Sequence, residues 1–91
     1  MEVELQDQLR SLISEDPVVC GAFCLDQQGL VICQEGKVSE ALPYNVSLLA
    51  KHAATLAEEG AIPTVTVEFN SCKVSIKSAD KIILAIVSET G

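Results

Sequence analysis

The residues able to do chemistry in this chain are few: Cys20, Cys24, Cys33, Cys72, a single histidine (His52), scattered serines and thirteen carboxylates. A zinc centre needs four soft donors converging on one tetrahedral ion, usually announced by paired C-x-x-C or Cys/His spacing. None of the cysteines forms such a pair, and His52 lies far from them along the chain. They read as reduced, buried, small apolar residues; a zinc site or a redox pair is the alternative, and it rests on their number alone. His52 has Leu48 one turn before it and Thr55 one turn after, which makes it a surface or interface contact rather than a base. Ser39, Ser47 and the cysteines show no local arrangement that would activate a nucleophile. Glu58 and Glu59 close a helical stretch at its unfavourable dipole end and read as a solvated face. Asp26 and Gly29 are turn residues, and no glycine-rich loop follows a strand in a phosphate-binding pattern. The expectation is a protein that is not an enzyme and that uses no metal and no cofactor.

The bulk numbers exclude further classes. The formal net charge is −7, with six Lys and Arg against thirteen Asp and Glu, so there is little to displace counterions from nucleic-acid phosphate or to dock on anionic lipid. Aromatic residues make up 3% with no Trp, poor equipment for stacking on bases or sugars. No apolar run approaches the roughly 20 residues of a membrane span, and the start, Met1-Glu2-Val3-Glu4, has neither signal-peptide character nor the glycine of a myristoylation site. A soluble chain is expected, with a basic or neutral protein partner as the simplest use of its charge. At 91 residues and 48% apolar content, a single domain over residues 1–91 is expected, with a core of marginal size unless a partner adds to it.

The elements that must position these residues follow from periodicity. Glu2 to Ser14 reads as an amphipathic helix on Leu5, Leu9 and Leu12, ended by Asp16-Pro17. Val18 to Asp26 is a strand apolar on both faces; Asp26-Gln27-Gln28-Gly29 turns it into a second strand, Leu30 to Gln34, and Gly36 breaks the pattern. Ser39 is the expected cap, and Pro43 the expected first turn, of a second helix running from Leu42 to Glu59, with Gly60 as its C-terminal cap. Its apolar stripe is Leu42, Val46, Leu49, Ala53 and Leu56. Three strands follow, Thr64 to Phe69, Cys72 to Ser78 and Lys81 to Val87, joined by turns at Asn70-Ser71 and Ala79-Asp80.

Short turns make the last three strands an antiparallel meander. The first and fifth strands are apolar on both faces, so both of their faces must be covered and they belong in the middle. The expected sheet is antiparallel, of order 2-1-5-4-3, with one helix on each face. Strand three is then an edge. Thr64, Val65, Thr66, Val67, Glu68 and Phe69 have high β-propensity, and Glu68 is the one charge that blunts them, an invitation to strand addition. The bland reading is an edge covered by a loop, or protected by Glu68 and sheet twist. On the adjacent polar side of helix two, Tyr44, Leu48, His52 and Thr55 form the rest of a candidate interface; Leu48 lies off the core stripe and would stay wet in a monomer. Proline at Val67 is expected to remove a donor from the intermolecular ladder.

This helix–hairpin–helix–meander plan resembles the roadblock/light-chain-seven family, of roadblock/profilin-like α+β (α/β) fold. Within it the plan is similar to the HBX-interacting-protein-like branch, subunits of the Ragulator (LAMTOR) complex. The resemblance is carried by the first hairpin from Gly21 to Leu30 (Gly-Ala-Phe-Cys-Leu-Asp-Gln-Gln-Gly-Leu), by Leu49 to Leu56 (Leu-Ala-Lys-His-Ala-Ala-Thr-Leu), and by Ile62-Pro63 before strand three. Most roadblock domains continue into a third helix after the last strand. Here only four residues follow Val87, a departure shared by that branch, and part of the helix-one face would be left for a partner segment. The resemblance implies a non-enzymatic scaffold subunit that forms a heterodimer with a second roadblock-like subunit and is enclosed by an extended, lipidated Ragulator subunit. Through the assembly it would help recruit Rag GTPases and activate TORC1 signalling in response to amino acids. It would be cytoplasmic, held at the cytosolic face of the late endosome or lysosome through its partners, with no nucleic acid and no membrane insertion of its own. The alternative is a roadblock-type homodimer that regulates a small GTPase or serves as a motor light chain.

Overall fold

The computed structural model describes residues 2–56, 64–68, 71–79 and 81–89. Its elements in chain order are α1 (Glu2–Glu15), β1 (Val19–Asp26), β2 (Val31–Gly36), α2 (Leu42–Leu56), β3 (Thr64–Glu68), β4 (Cys72–Ala79) and β5 (Ile82–Glu89). The expected last turn of helix two with Gly60, Ile62-Pro63, Phe69, and the turn residues Asn70 and Asp80 lie outside the described residues.

The five strands form one antiparallel sheet of order β2-β1-β5-β4-β3. The two-faced strands lie at its centre as their composition demands. Phe23 and Leu25 of β1 join Val74, Ile76, Ile83, Ala85 and Val87 under Val46 and Ala50 of α2. Ala22 and Cys24, on the opposite face of the same strand, join Cys33 under Leu9 of α1, with Leu5 and Leu12 packed alongside. Burying such side chains stabilises by roughly 1.5–3 kcal/mol each, which is why a chain of this size needs both helices.

Local chemistry sets the connections. The Asp26 carboxylate accepts the N–H groups of Gln28 (2.9 Å) and Leu30 (3.0 Å), while its carbonyl accepts that of Gly29 (3.1 Å). Gly29 adopts φ +89°, and a Cβ there would stand 2.7 Å from the Ser47 hydroxyl of α2. The register of β1 on β2 slips after Cys24, leaving Ile32 as an extra residue, a bulge. Gly36 does not interrupt β2; it ends the strand opposite Gly21, at φ +75°, where a Cβ would fall 2.3 Å from the Cys20 carbonyl oxygen. Ser39 is not the cap of α2. Ala41 precedes the first helical residue, and Ser39 contributes its backbone carbonyl to the Leu42 N–H (3.2 Å).

A polar clamp fastens α1 to β2. Gln6 Nε2 donates to the Gln34 carbonyl (3.0 Å) and to the Glu35 carboxylate, and Arg10 Nε donates to the same carboxylate at 3.0 Å. The Gln6 hydrogen bond, then Arg10, hold the Glu35 carboxyl below its usual value. A depressed folded-state pKa gives stability that is present above the ordinary glutamate value of about 4.3 and lost as pH falls through the folded value. Acidification through this range is therefore expected to lower amide protection, measured against the intrinsic exchange rate at each pH, in α1 before the β1–β5 ladder. The Glu35→Gln variant should lack that acid step; an unchanged acid profile in this variant would assign it to another group.

All four cysteines are free thiols. Cys24 and Cys33 are cross-strand partners, both buried beneath α1. Burial first, and the neighbouring Cys33 second, push the Cys24 thiol up to about 12. Thiolate is the reactive form. In the native protein a disulfide reagent should therefore modify half-buried Cys20 and Cys72 first, with Cys24 labelled only on a timescale set by α1 opening. Equal rates at Cys24 and Cys72 would contradict a sealed α1 face.

Candidate functional site

A sheet has two edges, and here they differ. Antiparallel pairing alternates residues that exchange backbone hydrogen bonds with residues that turn those groups away. The Lys37 N–H bonds the Cys20 carbonyl and the Asp26 N–H bonds the Leu30 carbonyl, so even-numbered β1 residues face β2 and odd-numbered ones face β5. Carried through the register, this directs Ile83, Ala85 and Val87 to β1, and Leu84, Ile86 and Ser88 to β4. The Glu89 N–H bonded to the Val18 carbonyl agrees. On β4, Val74 and Ile76 then face β3, which places the amide groups of Val65 and Val67 inside the sheet. The outward donors and acceptors are those of Thr64, Thr66 and Glu68. The expectation for Val67 is thereby corrected: its N–H belongs to the β3–β4 ladder, and the donor at the centre of the open edge is Thr66.

The other edge, β2, is guarded. Its outward carbonyl at Gln34 already accepts from Gln6, and the Ile32 bulge distorts the ladder. Neither device is present on β3 among the described residues. Thr64, Thr66 and Glu68 are exposed, and Val65 and Val67 are half-buried on the α2 side; Phe69 lies outside the described residues.

On α2, Leu48 is 39% exposed and Tyr44 68% exposed, and His52 and Thr55 are exposed, the Thr55 hydroxyl donating to the His52 carbonyl at 2.7 Å. The structure brings Leu48, His52 and Val67 together along one groove of about 650 Å³ between α2 and the β3 side of the sheet. Leu42, Leu49, Cys72 and Val87 form its apolar walls. Tyr44 does not join them: with Leu48 it borders a second groove, toward Leu30 and Val31 on the β2 side. Thr55 lies one turn beyond His52 and lines neither groove among the described residues. Helical and strand periodicity assigned Leu42, Leu49, Cys72 and Val87 to the core; Val87 is buried there, whereas Leu42, Leu49 and Cys72 are half-buried and line the groove as well.

The arrangement offers main-chain hydrogen bonding along β3 and apolar burial beside it, the two ingredients of strand addition between proteins. Among the described residues no three His, Cys, Asp or Glu gather closely enough to hold a metal ion, and no helix is long and apolar enough to cross a membrane.

A family model described as Ragulator complex protein LAMTOR5 matches residues 1–88. The chain is 32% identical over 87 residues to a Ragulator complex protein LAMTOR5 homolog from Nematostella vectensis, covering 94% of each. Among solved structures it is similar to a roadblock/LC7 domain from Streptomyces avermitilis, with a TM-score of 0.70 at 19% identity over 92% of this chain and 77% of that one. It is similar also to MglC from Myxococcus xanthus, with a TM-score of 0.68 at 12% identity over 99% and 82%. These two likenesses establish the roadblock fold.

Proposed function

The chain belongs to the family of Ragulator complex protein LAMTOR5, and on that premise we propose that it is a non-enzymatic scaffold subunit of a Ragulator-like complex, the HBX-interacting-protein-like member. It pairs with a second roadblock-fold subunit through β3 and α2. The observation that carries this reading is the open β3 edge, with Thr64, Thr66 and Glu68 directing their amide groups outward beside an apolar groove. A second roadblock sheet laid against that edge continues the ladder and brings its own helix over Leu48, so hydrogen bonds and apolar burial are satisfied together. The candidate interface comprises Thr64, Val65, Thr66, Val67, Glu68 and Phe69 with Tyr44, Leu48, His52 and Thr55.

In this role the subunit does no chemistry; it contributes one half of a platform. An extended, lipidated subunit encloses the pair and supplies attachment to the late endosomal or lysosomal surface. The assembled complex recruits Rag GTPases and so supports TORC1 activation by amino acids. Two measurements test the reading: light scattering of the purified chain alone, and identification of the subunits that co-purify with it from cells. A monomer or weak self-associate alone, together with a roadblock-fold partner in stoichiometric amount from cells, is the expected result. A tight homodimer that recovers no other roadblock subunit would replace the reading with the homodimeric GTPase regulator or motor light chain.

A further inference from the structure

Resting on that reading, we propose that the groove between α2 and β3 selects its partner by charge: it takes a different roadblock-fold chain that carries a carboxylate beside the apolar ridge filling the groove, and it rejects a second copy of this chain. The chain has a net charge of −7, yet the described residues lining this groove include Lys37 and His52 and no carboxylate. Lys37 is exposed, and the ion pairs of the described residues all belong to Arg10, with Asp7 and Glu35. Apart from the uncharged Ser39 and Asn45, the remaining lining is apolar, chiefly Leu42, Leu48, Leu49, Val67, Cys72 and Val87. A ridge seated on those walls expels water from the rim where Lys37 and His52 stand. An ammonium stripped of water without a counter-charge is costly, and a carboxylate on the incoming ridge removes that cost.

Among the described residues, the elements that a second copy would bring offer no such carboxylate. In a two-fold pairing of β3 with β3, each copy offers its own α2 and β3 to the other's groove. From Leu42 to Leu56, α2 contains no acidic residue; it brings Lys51 and His52 instead. The acid of β3, Glu68, alternates with Val65 and Val67 and so points to the sheet face away from α2. Self-pairing by these elements therefore leaves Lys37 at the groove without a counter-charge, and adds the long-range repulsion of two chains of charge −7. Discrimination of this kind works through the repulsive element as much as the attractive one.

The experiment co-expresses the tagged chain with an untagged copy of itself and, one at a time, with every other roadblock-fold chain of the same organism, then measures affinity for whichever pair forms. Lys37→Glu with His52→Glu should weaken that pair about tenfold or more, with Lys37→Gln and His52→Gln intermediate. Raising salt from about 0.05 to about 0.5 M should weaken the wild-type pair several-fold and the reversed variant much less. Both positions are exposed, and unchanged melting temperatures confirm that the variants fold. A stable wild-type homodimer overturns the proposal, and so does a partner whose affinity ignores both reversals and salt. Thr66→Pro separates the two levels. If it abolishes pairing while the reversals do not, charge selection falls and the edge interface stands. If neither change matters, or if no chain in the panel binds, both fall.

Discussion

Thr66→Pro is expected to weaken partner binding at least 100-fold while leaving the subunit folded, and Val67→Pro, one residue away, is expected to do the reverse damage. The difference comes from the ladder. The Thr66 N–H points out of the sheet, and the Val67 N–H bonds into β4 opposite Val74. Proline at position 66 removes an N–H that no described strand uses and sets a pyrrolidine ring against the incoming strand, while the β3–β4 pairs stay intact. Its cost to the isolated subunit should stay within about 1 kcal/mol, the span of β-propensity differences. At the centre of an interface, losing a ladder bond and close strand approach together is a hot-spot change of more than about 2.8 kcal/mol, which sets the 100-fold figure. At position 67 the lost N–H leaves a β4 carbonyl unsatisfied inside the sheet, at about 1–3 kcal/mol, or roughly 10 °C in melting temperature for a domain of this length. Paired melts and titrations read both numbers. Equal loss of stability in the two variants would mean that the outward direction of Thr66 is wrong; equal affinity would remove β3 from the interface.

This pair of substitutions also marks where sequence reasoning stopped. Side-chain alternation is local, so Val65 and Val67 were legible as one face of strand three, and Thr64, Thr66 and Glu68 as the other. Amide direction is not local. It depends on the register of every strand back to the β1–β2 hairpin, and on a bulge at Ile32 that no residue type announces. The sheet order was legible for a stronger reason: strands with apolar side chains on both faces can be buried only between two layers, which forces β1 and β5 to the centre. Leu42 and Leu49 show the opposite case. Their spacing identifies the helix face turned to the sheet, but it does not say that both lie at the border of that contact, half-buried against the core and lining the groove. Tyr44 and Leu48, grouped by their shared exposure, lie one helical turn apart and both border the β2-side groove, but only Leu48 also reaches the groove beside β3.

Phe23→Ala tests the foundation beneath the interface, with an expected loss of about 3–5 kcal/mol. Phe23 is fully buried on β1, between Gln34 of β2 and Ala85 of β5, in the cluster that seats Val46 and Ala50 of α2. Ala85 and Ala50 are themselves small and buried, so neither can grow into the space left by a phenyl ring, and little of the cavity can close. A chain of this length has about 5–14 kcal/mol of stability in total, so one substitution removes about a fifth of it or more. The melting temperature should fall by roughly 15–30 °C. Partner binding should weaken as well, because the same cluster holds α2 at the height that presents Leu48 beside Val67. Leu48→Ala separates the two effects: exposed in the subunit, it should shift the melting temperature by only a few degrees yet reduce affinity about tenfold or more. The partner should restore part of the stability lost in Phe23→Ala, since a ligand that binds only the folded state stabilises it in proportion to its excess over Kd. A Phe23→Ala loss below about 1 kcal/mol would mean that α2 is held by something other than this cluster. A variant whose stability the partner cannot raise would mean that the seat of α2 and the binding surface are not one mechanical unit.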